Sequence, residues 1–179
     1  MHAGHQIHQI AWVVDDLDAA VRHWQQTTGI GPFYVGRHIG AMITDTLFRG
    51  RPADIDISAA IAQSGPVQIE LIQQHDGAPS PYRDVFPVGA GGLHHVQAFV
   101  DDVDAACRAY QEQRLEVVMT GSVGGQTPVA YVDSRPLIGC MTELMGRQGP
   151  AVHMFAALAA VGAGWDGSDP VRDLATLMQ

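Results

Sequence analysis

The sequence predicts an α+β fold in which two βαβββ modules pair their sheets and a C-terminal helical extension follows. Three observations predict it. GLHHVQAFVDDVDAACRAYQ, residues 92–111, repeats the pattern of IHQIAWVVDDLDAAVRHWQQ, residues 7–26, at a shift of 86 positions. Under that shift Val14 falls on Val100, Asp15 and Asp16 on Asp101 and Asp102, Ala19 and Ala20 on Ala105 and Ala106, Arg22 on Arg108, and Trp24 on Tyr110. Each copy opens as an alternating apolar strand, turns into a helical pattern, and continues into further short apolar runs. A Gly/Pro-rich stretch, HDGAPSPYRDVFPVGAGG at residues 75–92, separates the copies. An internal repeat whose unit cannot close its own core implies two modules sharing one, with a cleft at their pseudo-twofold axis.

The elements follow in order. Residues 7–14 alternate and are rich in Ile, Val and Trp, a strand pattern. Asp15 or Asp16 then caps a helix to about residue 28, with Leu17, Ala20, Val21 and Trp24 at helical spacing. Thr28-Gly29-Ile30-Gly31-Pro32 stops it. FYVGRHI at 33–39 is a short strand candidate, and residues 40–53 carry no clear pattern beyond a turn at Gly50-Arg51-Pro52. DISAAIA (56–62) and PVQIELIQ (66–73) read as a hairpin around Ser64-Gly65. The pattern restarts as a strand at 93–100, a helix at 102–114, and strands near 115–120, 127–133 and 138–145. An Ala-rich helix begins near residue 151, and a short final helix is expected with Asp169 as cap and Pro170 at its first position. The expected division is a domain at 1–148, with modules at about 1–74 and 92–148, and the helical extension at 149–179.

Composition narrows the function. The chain has 179 residues, 46% of them hydrophobic, enough for a real core. Its formal net charge is −9 and it contains no lysine. That balance argues against nucleic acid, whose affinity rests on cations neutralising phosphates. A small-molecule partner is expected instead. The longest apolar stretch, AVHMFAALAAVGAGW at 151–165, is shorter than the ~20 residues a bilayer span needs, so no membrane partner is expected. The N-terminus MHAGHQIHQI lacks the basic and apolar regions of a signal peptide. Cys107 and Cys140 have no framework spacing and read as buried apolar residues, which fits a reducing, cytoplasmic setting.

The chemistry concentrates in a few residues. Glu70 and Glu143 each interrupt an apolar strand, in QIEL and MTEL, where a carboxylate is disfavoured and costly to bury unless paired or bound to a metal. Both sit in the last strand of their half. Gln9 and His95 coincide under the repeat, and both can give a lone pair to a metal. Gln9, Glu70, His95 and Glu143 would suit a divalent ion that accepts mixed N/O ligands, such as Zn, Ni, Co, Mn or Mg. His8 and His94 also coincide, so the residues alone offer a second, nitrogen-rich set on the opposite strand face. His2, His5 and His8 recur in steps of three, which alternate faces and do not converge. Arginines 37, 49, 51, 83 and 135 are candidates for holding an anionic group, each weighed against an ordinary surface role.

The repeated strand–Asp-Asp–helix pattern, the GLHHV of 92–96 and the paired Glu-Leu strand ends resemble the glyoxalase/vicinal oxygen chelate (VOC) superfamily over residues 7–146. GLHHV followed by FVDD is similar to methylmalonyl-CoA epimerases; a Gln at position 9 is similar to the lactoylglutathione lyase branch. The resemblance implies a cupped mixed sheet of paired βαβββ modules around one divalent metal. It implies His95 rather than His94 as ligand, and hence the metal set Gln9, Glu70, His95 and Glu143. It further implies an enzyme that moves a proton next to a carbonyl, an isomerase, epimerase or glyoxalase-type lyase acting on a small acyl or thioester-like substrate, with Glu143 as base and Glu70 as ligand or partner base. Such proteins often pair modules between chains, and with the apolar tail helix this implies a homodimer. The alternatives are a metal-free small-molecule binding or resistance protein on the same fold, and an Fe(II) dioxygenase, which would want His where Gln9 stands.

Overall fold

The computed structural model describes residues 6–177; His2 and His5 lie outside them. The first half contributes β1 (Ile7–Val13), α1 (Leu17–Thr28), β2 (Phe33–Gly36), β3 (Ile43–Phe48), β4 (Arg51–Pro52), β5 (Ile57–Ser64) and β6 (Val67–Gln74). After α2 (Pro81–Val85), the second half contributes β7 (Gly92–Val100), α3 (Val103–Glu112), β8 (Val117–Val123), β9 (Thr127–Val132), α4 (Arg135–Ile138) and β10 (Met141–Gly146). The tail adds α5 (Pro150–Ala163) and β11 (Val171–Asp173). One mixed sheet runs β11-β2-β5-β6-β1-β7-β10-β9-β8-β3-β4.

The repeat is visible in this order. β1 and β7 meet antiparallel at the centre, each flanked by a parallel partner, β6 or β10. Ile10 and Val96, which the 86-residue shift superposes, are direct cross-strand partners, so the pseudo-twofold axis passes between them. Both helices start on the expected aspartates: Asp16 accepts the Ala19 N–H and Asp102 the Ala105 N–H, each at 2.9 Å. Such a bond satisfies one of the orphan donors of a helix start. Leu17 and Val21 of α1 pack on Phe33, Ala60 and Leu71 behind the first half. Val103 and Cys107 of α3 pack on Ala130, Val132 and Leu144 behind the second. The opposite, inner face carries the largest apolar cluster, including Ala11, Ile57, Phe99, Met119, Met141 and Met145.

The structure departs from the sequence reading in several places. The unclear stretch 40–53 becomes a 3-10 turn and the β3–β4 pair, and β3 leaves its own half to pair with β8 of the other. Pro and Arg at the β4 edge suit a strand that must not recruit another. The connector holds α2, capped by Ser80, whose hydroxyl accepts the Arg83 N–H at 3.0 Å. The last module strand starts at Met141 rather than near 138, because Arg135–Ile138 form a short helix ended by the left-handed Gly139. The final helix expected at Asp169 is a correction. Asp169 has φ 44, the Pro170 carbonyl accepts the Phe33 N–H at 2.9 Å, and Val171–Asp173 pair in parallel with β2. A proline at the start of an edge strand loses no ladder bond; a 3-10 turn over Leu174–Leu177 follows. The tail helix was expected to seek a partner chain, but Ala151, Phe155 and Leu158 are buried in this chain's own core clusters.

Candidate functional site

Two β-bulges build the site. The β1–β7 ladder pairs Ile7 with Ala98 and Gln9 with Gln97, skipping His8; it pairs Ala11 with His95 and Trp12 with Leu93, skipping His94. The two skipped histidines are equivalent under the repeat, so the bulge itself is repeated. A bulge re-aims side chains. In a regular strand His94 and His95 would point to opposite faces; here their Nδ1 atoms lie 2.9 Å apart. The expectation that His8/His94 and Gln9/His95 form two sets on opposite faces therefore fails for His94.

Glu70 lies opposite Ala11, and Glu143 opposite Gln97. Ala11 and Gln97 are also equivalent under the repeat, so the two carboxylates occupy matching places on either side of the axis. His95, fully buried, stands between them. Its Nε2 is 3.6 Å from Glu70 Oε2 and 3.3 Å from Glu143 Oε2. These separations exceed an ordinary N–H···O bond, and among the described residues His95 Nε2 has no hydrogen-bond partner. Gln9, also buried, lines the same cavity as Glu70 and Glu143, and its Nε2 faces Gln68 Oε1 at 3.4 Å.

The proton on His95 can be placed. His94 Nε2 lies 3.0 Å from the Pro81 carbonyl oxygen, which only accepts, so that nitrogen carries the hydrogen. Burial, then the neighbouring His95, holds His94 down to about 3, so it stays neutral and its Nδ1 is bare. His95 must then donate from its own Nδ1. In neutral His95 the Nε2 lone pair is left facing Glu70 and Glu143, the tautomer a metal ligand needs. Both nitrogens of His94 are thereby occupied. His8 lines a different cavity, beside Gln68, Phe99 and Arg147. Burial pushes the Glu70 carboxyl up to about 7, helped by Glu143 and opposed by His95.

These groups open into a cavity of about 90 Å³ between the inner face of the sheet and the tail. Ile57, Ile61, Met145, Met154 and Phe155 give it apolar walls, and Leu174 closes one side. Among the described residues no Lys or Arg lines it. The arginines considered for an anion are engaged elsewhere: Arg37 with Asp18, Arg49 with Asp84 and Glu116, Arg83 with the Gln74 and Asp76 carbonyls, Arg135 with Asp133. Arg51 is exposed and borders a separate surface cavity.

Residues 8–131, more than half of the chain, match the Glyoxalase/Bleomycin resistance protein/Dioxygenase superfamily. The chain belongs to that superfamily. No curated protein matches it in sequence. Among solved structures it resembles a methylmalonyl-CoA epimerase in complex with methylmalonyl-CoA and NH4+ (18% identity, 79% of this chain and 94% of that one, TM-score 0.51). It also resembles the methylmalonyl-CoA epimerase of Mycobacterium tuberculosis (17%, 85% and 95%, 0.53). A hypothetical protein of Bacillus halodurans C-125 is similar to the same degree (15%, 82% and 97%, 0.55). At such identities the likeness is one of fold.

Within this superfamily member, two polar residues among those described in the cavity lining escaped the sequence reading. Tyr131 of β9 pairs in register with Glu143, and Tyr82 of α2 reaches in from the connector; their hydroxyls are 3.4 Å apart. Burial pushes both phenols well above their ordinary range, so both stay protonated donors. Tyr131 sits in an apolar strand, but tyrosine is at home in strands where a carboxylate is not, so it gives no signal of the kind Glu143 does. Nothing local to Tyr82 points to a site.

Proposed function

We propose that this protein is a metal-dependent enzyme that moves a proton next to a carbonyl, as an epimerase, isomerase or glyoxalase-type lyase, on a small acyl or thioester-like substrate. The observation that carries the reading is one pair of carboxylates, set at equivalent positions on either side of a histidine nitrogen that has no partner among the described residues. His95 Nε2 stands 3.3 and 3.6 Å from the two carboxylates, separations that two ligands of an ion binding nitrogen and oxygen at about 2.0–2.2 Å can have. Among the described residues these three ligands are not already gathered within 4.8 Å of one another, so the carboxylates would turn inward to share an ion. Gln9, Glu70, His95 and Glu143 would hold it; Zn, Ni, Co, Mn and Mg all accept such a set. Bound there, a divalent ion supplies Lewis acidity to a substrate carbonyl and so weakens the adjacent C–H bond.

The chain's own residues do the rest. Glu143 takes the proton, and Glu70, on the other side of His95, returns one from a second direction. His94 holds the His95 ring in one tautomer and orientation. Tyr82 and Tyr131 offer hydroxyl donors to a developing oxyanion in a site from which the apolar walls exclude water. A cavity of this size, with no cation in its lining, encloses a small uncharged reacting group; any charged remainder of a larger substrate must lie outside it.

Deuterium exchange tests the reading. Carbonyl compounds with an acidic C–H, acyl-CoA thioesters and glutathione hemithioacetals among them, are incubated with metal-loaded protein in deuterated water. The right compound gains deuterium at the α carbon. Tight binding of a compound without exchange from any member of the panel would favour the binding-protein alternative.

We further propose that the chain forms a homodimer. The tail's apolar face is covered within the chain, so the contact must use other surface, such as Leu137 (68% exposed) and Ile138 (57% exposed). Sedimentation at micromolar concentration distinguishes dimer from monomer.

A further inference from the structure

We propose a second divalent-metal site, outside the central cavity, formed by His38, Asp56 and His75 and suited to Zn2+, Ni2+ or Co2+. One nitrogen from each histidine and an Asp56 carboxylate oxygen all lie within 4.8 Å of one another. His38 Nδ1 is 2.9 and 3.0 Å from the two Asp56 oxygens. The two imidazoles stack with centroids 4.2 Å apart and planes 26° from parallel. Two imidazoles and a carboxylate form a donor set that borderline divalent ions favour over Mg2+ or Ca2+.

The three residues come from separate segments that meet at one end of the β2-β5-β6 strands. Asp56 and His75 extend the β5–β6 ladder by one pair, the His75 N–H donating to the Asp56 carbonyl at 2.9 Å. His38 has a left-handed backbone, φ 50, uncommon for a residue with a side chain. It is held there by its N–H to Ser58 Oγ at 3.0 Å and by the Ile39 N–H to the Ile57 carbonyl at 2.7 Å. Gly40 lets the loop lie on the strand, because a Cβ there would run into the Ile55 carbonyl. Thus the backbone positions are set, while the exposed His38 and Asp56 side chains (63% and 43%) are free to close around an ion, with water completing its shell. A hydrolytic triad is not formed: Ser58 touches His75 Nε2 at 2.7 Å but is fully buried, and Asp56 faces His38 instead.

The segments that would carry these ligands run directly into the cavity wall. Ile39, Met42 and Ile43 follow His38, and Ile57 and Ala59 follow Asp56; all five line the central cavity. An ion at this end would tie those two stretches together.

The test titrates Zn2+ by calorimetry into full-length His95→Ala, which isolates this site from the central one. About one equivalent should bind and raise the melting temperature. Adding His38→Asn, a residue that tolerates left-handed backbone, or His75→Phe, which keeps a stacking ring, should abolish both effects, with circular dichroism unchanged. Zn2+ binding to His95→Ala/His38→Asn as strong as to His95→Ala overturns the proposal, as does no binding to His95→Ala at all. Neither result bears on the central site, which is read from wild type against His95→Ala.

Discussion

His8 and His94 occupy the same place in the repeat, each at the bulge of its central strand, yet their surroundings differ. His94 spends both nitrogens, on the Pro81 carbonyl and on His95. His8 has a buried Nε2 with no partner among the described residues and packs its ring edge-on against Phe99, centroids 4.9 Å apart. One residue further along, the first half has Gln9, tied to Gln68, where the second has His95. The backbone geometry of the repeat is kept while its chemistry has diverged. The carboxylates are the exception, since Glu70 and Glu143 match in both position and type. The comparison teaches that the second half orients its histidine through a neighbour, and the first half supplies a near-copy without that support.

The largest expected effect lies in the matched pair. Glu143→Gln should lower α-proton exchange by ~100- to 10,000-fold, the usual contribution of a general base. Glu70→Gln tests how far the symmetry reaches. Equal losses in both variants would indicate two bases working from two sides; a full rate in Glu143→Gln would move the base to Glu70.

Next comes the unmatched pair. His95→Ala should lose about one bound divalent ion per chain, measured by elemental analysis after dialysis. His94→Ala should weaken that ion by ~10- to 100-fold, as loss of an orienting partner does. His8→Ala should leave it unchanged, and a loss there equal to that in His94→Ala would contradict the asymmetry.

A pH titration sharpens the same contrast. His94 is depressed from 6.5 to about 3. Its contribution to stability is therefore complete above pH 6.5 and is lost as pH falls toward 3. Imidazole resonances should show His94 neutral throughout pH 5–8. Glu70 runs the other way: raised from 4.5 to about 7, it favours the metal-free fold below pH 4.5 and loses that contribution as pH rises through 7. Glu70→Gln should remove that second dependence from thermal melts of metal-free protein.

The smallest effect probes where the halves are alike. Asp16→Ala and Asp102→Ala should each cost about 1 kcal/mol, and nearly the same amount, because each loses one equivalent capping bond. Chemical denaturation of the two variants checks it.

Much of this could be read from the chain. The helix caps, the central strands and the two strand-bound glutamates were legible because each rests on local signals: an Asp before a 3.6-residue pattern, alternation, a charge among apolar residues. The pairing of Gln9 with His95 was legible only through the repeat. The bulges were not, since a two-versus-one register is decided by the partner strand. Residues 40–53 were opaque because β3 is stabilised by β8, more than seventy residues away. The tail strand was misread because Asp-Pro signals a helix start as readily as an edge strand, and only the open side of β2 decides between them.

That open side has a bearing on how the chain reaches its fold. Among the described residues β2 is bonded on one side to β5, and on the other only to Val171–Asp173. At the opposite margin, β8 is covered by a strand made long before it. During synthesis the first half would emerge with β3 lacking its neighbour and β2 exposed along one side. Neither margin is sealed until the second half and the tail have followed. Such distant pairings fold slowly and leave strand edges exposed in the meantime. Val171–Asp173 thus act as the last piece of the sheet to be placed, so a chain truncated before them should be more prone to edge-to-edge association while it is being made.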